Sequence, residues 1–140
     1  MFSIDASTDH GARALRRLKE EEAIWITVVD STLTPRSTPV WFLWDGETIL
    51  IYSEPTSFKV RCIEANPRVN LHFSADEQGH NVVVLTGDAR IEKGTLLPSS
   101  VPAYGEKYRE AIARLGTDLA QLSATYSAAI IVTPDRLSGF

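Results

Sequence analysis

The sequence predicts a mainly β fold, a small six-stranded antiparallel barrel accompanied by a few helices. Three observations support this class: six short runs rich in β-branched and aromatic residues, short connections between most of them, and helical patterns at only three places. Short connections favour antiparallel pairing, because a parallel crossover needs a dozen or more residues. A doubly wound parallel sheet is therefore not expected.

The first elements are a helix and a strand. A helix is predicted over Asp9–Glu22, where apolar residues recur at near-helical spacing among charges, with Ser7, Thr8 or Asp9 as its N-cap. Strand one follows at Ala23–Val29 and ends in the turn-forming run DSTLTP.

Strands two and three form a predicted hairpin. The strands are Arg36–Trp44 and Thr48–Ser53, and the Asp45-Gly46 pair between two apolar runs indicates a tight turn. Strand two is apolar on both faces: Val40, Phe42 and Trp44 lie on one, and Pro39, Trp41 and Leu43 lie on the other. A barrel interior covers only one face, so the other is expected to meet a partner subunit, a helix or a flat ligand.

The second half of the chain completes the pattern. The predicted elements are a helix in SFKVRCIEAN, strand four at Arg68–Ser74, strand five at Asn81–Glu92, a helical stretch over Ala103–Tyr126 that breaks at Gly116, and strand six in SAAIIVTP.

Composition predicts one globular domain over residues 1–140, with 44% hydrophobic and 23% charged residues. The net charge of −4 provides no basic field, so neither nucleic acid nor an anionic membrane is an expected partner. The start of the chain has no apolar signal-peptide core and Cys62 is the single cysteine, which favours a cytoplasmic location. The three histidines and Cys62 share no ligand spacing, so no metal site is expected.

The helix in SFKVRCIEAN has charges that oppose its dipole. If Ser57 is the N-cap, Lys59 and Arg61 lie at or near the positive N-terminus and Glu64 lies near the negative C-terminus. A dianion at the helix start would explain this arrangement, because backbone N–H groups, the Ser57 hydroxyl and the Lys59 ammonium could all bind it.

A purely structural interpretation remains open for the same residues. Arg61 could pair with Glu64 at i, i+3 while Lys59 reaches Glu54 or water. Trp41 could likewise pack in a core or against a second subunit rather than contact a ligand.

Five segments resemble, in order, the pyridoxamine 5′-phosphate oxidase-like split-barrel superfamily, and within it the branch of deazaflavin (F420)-dependent oxidoreductases. They are IWITVV, TPVWFLWDGETILIYSEP, KVRCIEANPRVNLHF, VVVLTGDARIE and YGEKYREAI, so the resemblance covers roughly Leu15 to Pro134. Its most specific part is PVWFLWDG followed by S, K, R, I and NPRV.

The resemblance implies a six-stranded split barrel of the FMN-binding type, a homodimer with cofactor sites at the subunit interface, and hydride transfer between F420 and a small organic acceptor. FMN is the alternative cofactor. The implied cofactor-binding residues are Lys59 for the phosphate, supported by Ser53, Ser57 and Arg61, with Thr38, Pro39, Val40 and Trp41 at the polar end of the ring. The sequence departs from the family in having Cys62 where asparagine is usual and STLTPR in place of an Asp-Gly-x-Pro turn.

Two alternatives remain within the same superfamily: a cofactor carrier without turnover, and a haem binder with His72 as a weak axial candidate. No catalytic residue is assigned, and the candidates for a proton donor are Tyr52, Tyr104, Tyr126 and His72. The C-terminal RLSGF is either a surface tail or a lining of the substrate pocket.

Overall fold

The computed structural model describes residues 1–140 as one antiparallel sheet of seven strands with four α-helices. The helices are α1 (Asp9–Glu20), α2 (Phe58–Ala65), α3 (Pro102–Arg114) and α4 (Leu119–Thr125). The strands are β1 (Ala23–Val29), β2 (Pro35–Trp41), β3 (Leu43–Trp44), β4 (Ile49–Ser53), β5 (Arg68–His72), β6 (Val83–Lys93) and β7 (Ala128–Gly139). Their order across the sheet is β2-β1-β5-β6-β7-β4-β3.

The prediction of six strands is wrong, because predicted strand two is interrupted at Phe42. The Tyr108 hydroxyl takes the place of a neighbouring strand there: it accepts from the Phe42 N–H at 2.8 Å and lies 2.7 Å from the Phe42 carbonyl oxygen. The Lys107 ammonium donates to the same carbonyl at 2.8 Å. Helix α3 therefore satisfies the backbone of Phe42, and the strand divides into β2 and β3.

The sheet is not closed, since β2 and β3 form its two edges. Strand β2 pairs only with β1, and β3 pairs only with β4. Phe42 alone separates these two edge strands along the chain. The mainly β class and the antiparallel pairing are confirmed. Two predictions are corrected: the sheet has seven strands rather than six, and it does not close into a barrel.

The main core is enclosed by the curved sheet and covered by α1. It contains fully buried residues from most strands, such as Ile24, Phe42, Ile51 and Leu85. Helix α1 begins after Thr8, whose side chain accepts from the Gly11 N–H, and buries Leu18 in this core. Residues of this kind supply most of the fold's stability, at about 1.5–3 kcal/mol for each large apolar side chain.

The second apolar face of the divided strand is covered by α3 of the same chain. Trp41 and Leu43 pack against a smaller cluster that includes Tyr104 and Tyr108. The Trp41 and Tyr108 rings stack with centroids 4.5 Å apart and planes 3° from parallel. The sequence left open whether a partner subunit, a helix or a flat ligand covers this face. Within the chain, a helix covers it.

Two other predictions can be compared directly with the structure. Gly116 lies between α3 and α4 with a φ of 70°, a conformation that glycine adopts without steric cost, so the predicted break is confirmed. The C-terminal RLSGF is not a free tail, because β7 continues to Gly139 and pairs with β6 up to Val83. None of the helices has the length and apolar character that crossing a bilayer requires.

Candidate functional site

A surface cavity of about 530 Å³ lies where the end of β4, the start of α2, the edge strand β2 and the α3–α4 corner meet. This volume is within the range of small-molecule sites, and such sites are typically apolar with a few polar groups. The lining residues are Pro39, Val40, Trp41, Tyr52, Ser53, Glu54, Lys59, Pro98, Tyr104, Leu115, Leu122 and Tyr126.

Lys59 is the only cation that lines this cavity, and its ammonium has no partner in the protein. The eight ion pairs of the structure do not include it, and the only lysine that donates a hydrogen bond is Lys107. The Lys59 side chain is half-buried, and this burial lowers the pKa of its ammonium below the usual value. A desolvated, unpaired ammonium of this kind is well suited to an incoming anion.

The N-terminus of α2 offers further donors beside Lys59. The Ser57 hydroxyl accepts from the Val60 N–H at 3.2 Å, which confirms Ser57 as the N-cap. The Ser57 hydroxyl also lies 2.8 Å from the hydroxyl of Ser53. The cap therefore uses one backbone donor of the first turn, while the N–H groups of Phe58 and Lys59 bond to no other part of the protein.

The two ion pairs that a purely structural interpretation of α2 predicts, Arg61 with Glu64 and Lys59 with Glu54, are not found. Glu64 pairs with Lys93 at 3.4 Å rather than with Arg61, and no ion pair joins Lys59 to Glu54. The Arg61 guanidinium lies 5.9 Å from the centroid of the Phe58 ring, in a separate groove that Phe58 and Cys62 also line. The positive charges of α2 thus remain without acidic partners.

Aromatic rings form the wall of the cavity. Trp41 stacks on Tyr108, and Tyr104 lies 5.0 Å from Tyr108 in a tilted arrangement. Tyr52 meets Tyr104 edge to face with centroids 4.9 Å apart. Tyr126, which is 40% exposed, stands at the rim. Flat apolar rings provide a surface on which a planar ligand can lie.

The tyrosine hydroxyls in this wall have no protein partners. The Tyr52 hydroxyl is buried without any hydrogen bond, and burial raises its pKa to about 12. The pKa of Tyr104 is also raised, first by burial and then by the charges of Tyr52 and Tyr126. Tyr108 differs because its hydroxyl bonds to the backbone of Phe42 and Glu22.

The structure brings together five of the eight residues that the resemblance implies for the cofactor. Pro39, Val40, Trp41, Ser53 and Lys59 line the cavity. The other three do not: Thr38 is exposed on β2, Ser57 caps α2, and Arg61 lines the separate groove.

Local sequence patterns contain no signal for the opposite wall, which is formed by Pro98, Leu115 and Leu122. These residues reach the cavity through the docking of α3 and α4, which local patterns do not encode. Of the four candidate proton donors, the three tyrosines line the cavity and His72 does not. His72 lies at the end of β5, where its ring is parallel to Trp25 and its Nδ1 is 3.2 Å from the Phe73 carbonyl.

Residues 12–138 match the family model described as pyridoxamine 5′-phosphate oxidase. The chain belongs to this family. No protein of curated function matches it in sequence. The family assignment agrees with the segments in which the sequence resembles the split-barrel superfamily.

Solved structures share the fold at low sequence identity. An F420 reductase is 24% identical with a TM-score of 0.64, over 88% of this chain and 94% of that chain. A protein from Listeria innocua, proposed to be a pyridoxamine 5′-phosphate oxidase, is 21% identical with a TM-score of 0.63, over 91% and 94%. HutZ, the haem storage protein from Vibrio cholerae, is 14% identical with a TM-score of 0.62, over 99% and 95%. At these identities the likeness shows a shared fold.

Proposed function

We propose that this protein is an oxidoreductase that holds a phosphate-bearing flavin-type cofactor, deazaflavin F420, in the Lys59 cavity and exchanges a hydride with a small organic acceptor. The observation that carries the proposal is the half-buried Lys59 ammonium, which has no partner and lies in a cavity walled by aromatic rings.

The anionic end of such a cofactor fits the corner at the start of α2. A phosphate there would gain a charge-assisted contact with Lys59 and hydrogen bonds from the free N–H groups of Phe58 and Lys59. It would also compensate the cost of the half-buried ammonium. The corner has no acidic ion-pair partner for Lys59 that the phosphate would have to displace.

The planar end fits the aromatic wall. Pro39 and Trp41 on the edge strand and Tyr104 on α3 present apolar surface to the same cavity. When bound, a cofactor of this class supplies the hydride chemistry, and the protein contributes binding, orientation and the exclusion of water. This division of labour requires no nucleophile or catalytic triad from the chain.

F420 is placed first because the sequence resembles the F420-dependent branch and an F420 reductase shares the fold. FMN is the competing ligand, since it carries a phosphate and a flat ring of the same kind. Haem is a weaker candidate: HutZ shares the fold, but His72 does not line the cavity.

A second copy of the chain belongs to this proposal, as the family resemblance implies a homodimer. Strand β2 is exposed from Pro35 to Pro39, next to the cavity, and Leu33 remains 78% exposed. Light scattering coupled to gel filtration is expected to give twice the 15.5 kDa mass of one chain. A mass of one chain at micromolar concentration would contradict the dimer.

The decisive experiment titrates F420, FMN and haem separately into the purified protein and its Lys59→Ala variant. Loss of the charge-assisted contact is expected to weaken binding of F420 or FMN more than tenfold, about 1.4 kcal/mol. Arg61→Ala is the matched control, because it removes one positive charge of the same helix that lies outside the cavity. Equal affinity of Lys59→Ala and the unchanged protein would overturn the phosphate assignment.

Turnover is tested separately from binding. Oxidation of reduced F420 by a panel of quinones and enones is expected to be faster with the protein than without it. Tight binding without acceleration by any acceptor would favour a carrier over an oxidoreductase.

A further inference from the structure

We propose that Tyr104 donates a hydrogen bond to an uncharged acceptor oxygen of the molecule bound in the Lys59 cavity. The identity of that molecule as a flavin-type cofactor rests on the proposed function, whereas the role of Tyr104 rests on its own surroundings. It would act as a ligand-contacting residue that fixes the orientation of the planar end.

The first argument is that Tyr104 is well packed, but its hydroxyl has no partner in the protein. Tyr104 is only 4% exposed and lines the cavity. Its hydroxyl makes no hydrogen bond within the protein and, unlike the Tyr52 hydroxyl, is not closed off from solvent. The hydroxyl of a largely buried tyrosine usually has a partner, and a ligand in the cavity can supply it.

Tyr108 provides the contrast within the same cluster. Its ring touches those of Trp41 and Tyr104, but it does not line the cavity. Its hydroxyl bonds to the Glu22 carbonyl at 2.6 Å and to both backbone groups of Phe42. The hydroxyl that faces the protein is therefore saturated, whereas the hydroxyl of Tyr104, which lines the cavity, has no protein partner.

The second argument concerns the sign of the group that Tyr104 would bind. Burial raises the pKa of Tyr104, so its phenol remains protonated and able to donate at neutral pH. Tyr52 and Tyr126 line the same cavity, and the Tyr52 ring meets that of Tyr104 edge to face. The single cation of the cavity, Lys59, is the site for a negative charge.

These features define a class of ligand with two unlike ends. One end is an anion that binds Lys59, and the other is a flat, uncharged ring that presents a carbonyl oxygen to the Tyr104 phenol. A ring with amide or imide carbonyls meets this description, whereas a ring whose edge carries only C–H groups would leave the Tyr104 hydroxyl without a partner.

The test separates the two ends of the ligand with two probes. Riboflavin carries the ring carbonyls without a phosphate, and FMN carries both. Each probe is titrated into the unchanged protein and into Tyr104→Phe and Lys59→Ala, and the melting temperature of each ligand-free protein is recorded.

Tyr104→Phe is expected to weaken binding of both probes about three- to tenfold, as for the loss of one neutral hydrogen bond. Its melting temperature should equal or exceed that of the unchanged protein, because the hydroxyl has no partner to lose. The carbonyl stretching bands of bound FMN are expected to shift to higher wavenumber in this variant.

The outcomes distinguish this inference from the proposed function. If Lys59→Ala weakens FMN binding but Tyr104→Phe binds riboflavin and FMN normally, the tyrosine assignment is overturned and the phosphate site stands. If Tyr104→Phe weakens riboflavin binding while Lys59→Ala leaves FMN binding unchanged, the tyrosine assignment stands and the phosphate site is overturned. Weaker binding accompanied by a lower melting temperature would indicate a structural role and overturn the inference. Failure of the unchanged protein to bind either probe or F420 would overturn both.

Discussion

Two lysines of this protein, Lys59 and Lys107, are half-buried, but their surroundings differ. The Lys107 ammonium donates to the Phe42 carbonyl at 2.8 Å and lies 3.6 Å from the centroid of the Phe42 ring. Lys59 lines a cavity and makes no comparable contact. Burial lowers the pKa of both, so burial alone does not separate a structural lysine from a binding one. What separates them is whether the ammonium has a hydrogen-bond partner in the protein.

The largest effect is expected from removal of the Tyr108 hydroxyl, which makes several hydrogen bonds beside Lys107. Tyr108→Phe removes the hydroxyl that serves Phe42 and Glu22, leaving the buried Phe42 N–H unsatisfied. We expect the free energy of unfolding to fall by about 1–3 kcal/mol, as measured by urea denaturation. Tyr52→Phe is the control, because its hydroxyl has no partner. Equal stability of the two variants would remove the distinction between the regions.

A second effect concerns the pH dependence of stability. Burial lowers the pKa of Lys107 to about 8, below its usual 10.5, so between these values the unfolded chain binds more protons than the folded one. Stability should therefore rise from pH 8 to 9.5, by less than about 1.4 kcal/mol per pH unit. Above pH 10 the buried tyrosines oppose this trend, because their pKa values are raised. Denaturation of Lys107→Met at the same pH values should show a flatter slope, and an unchanged slope would exclude Lys107 as its source.

The smallest effect sharpens the assignment of Lys59 as a binding residue. Burial lowers its pKa in the free protein, so FMN affinity should fall about three- to tenfold as the pH rises towards 10.5, the ordinary pKa of lysine, and Lys59 loses its proton. Lys59→Arg keeps its charge throughout this range and should show no such decline. Parallel declines in the two proteins would indicate that another group is responsible.

Local sequence patterns predicted much of the fold. The bounds of β1 agree with the structure, and the N-cap at Ser57 and the break at Gly116 were found, since each depends on residues close in sequence. The division of strand two at Phe42 could not be predicted, because its cause is a hydroxyl 66 residues away. The length of β7 was missed because its pairing with β6 extends beyond its apolar core into polar residues.

The candidate site was predictable only in part. The opposing charges on α2 drew attention to Lys59, and the structure leaves that ammonium without a partner. The separation of Arg61 from Lys59 could have been foreseen. Residues two apart on a helix are rotated by about 200° around its axis, so their side chains leave from nearly opposite sides. The tyrosine wall could not, because Tyr104 and Tyr126 reach the cavity only once α3 and α4 dock.

The division at Phe42 also governs how the sheet meets other chains. An edge strand is a template for strand addition and aggregation, and both edges here offer a poor one. Strand β3 is only two residues long, and β2 contains Pro35 and Pro39, which have no N–H to donate. Growth of the sheet across subunits is therefore disfavoured at both ends. A second copy would have to associate through side-chain contacts rather than by extending the sheet.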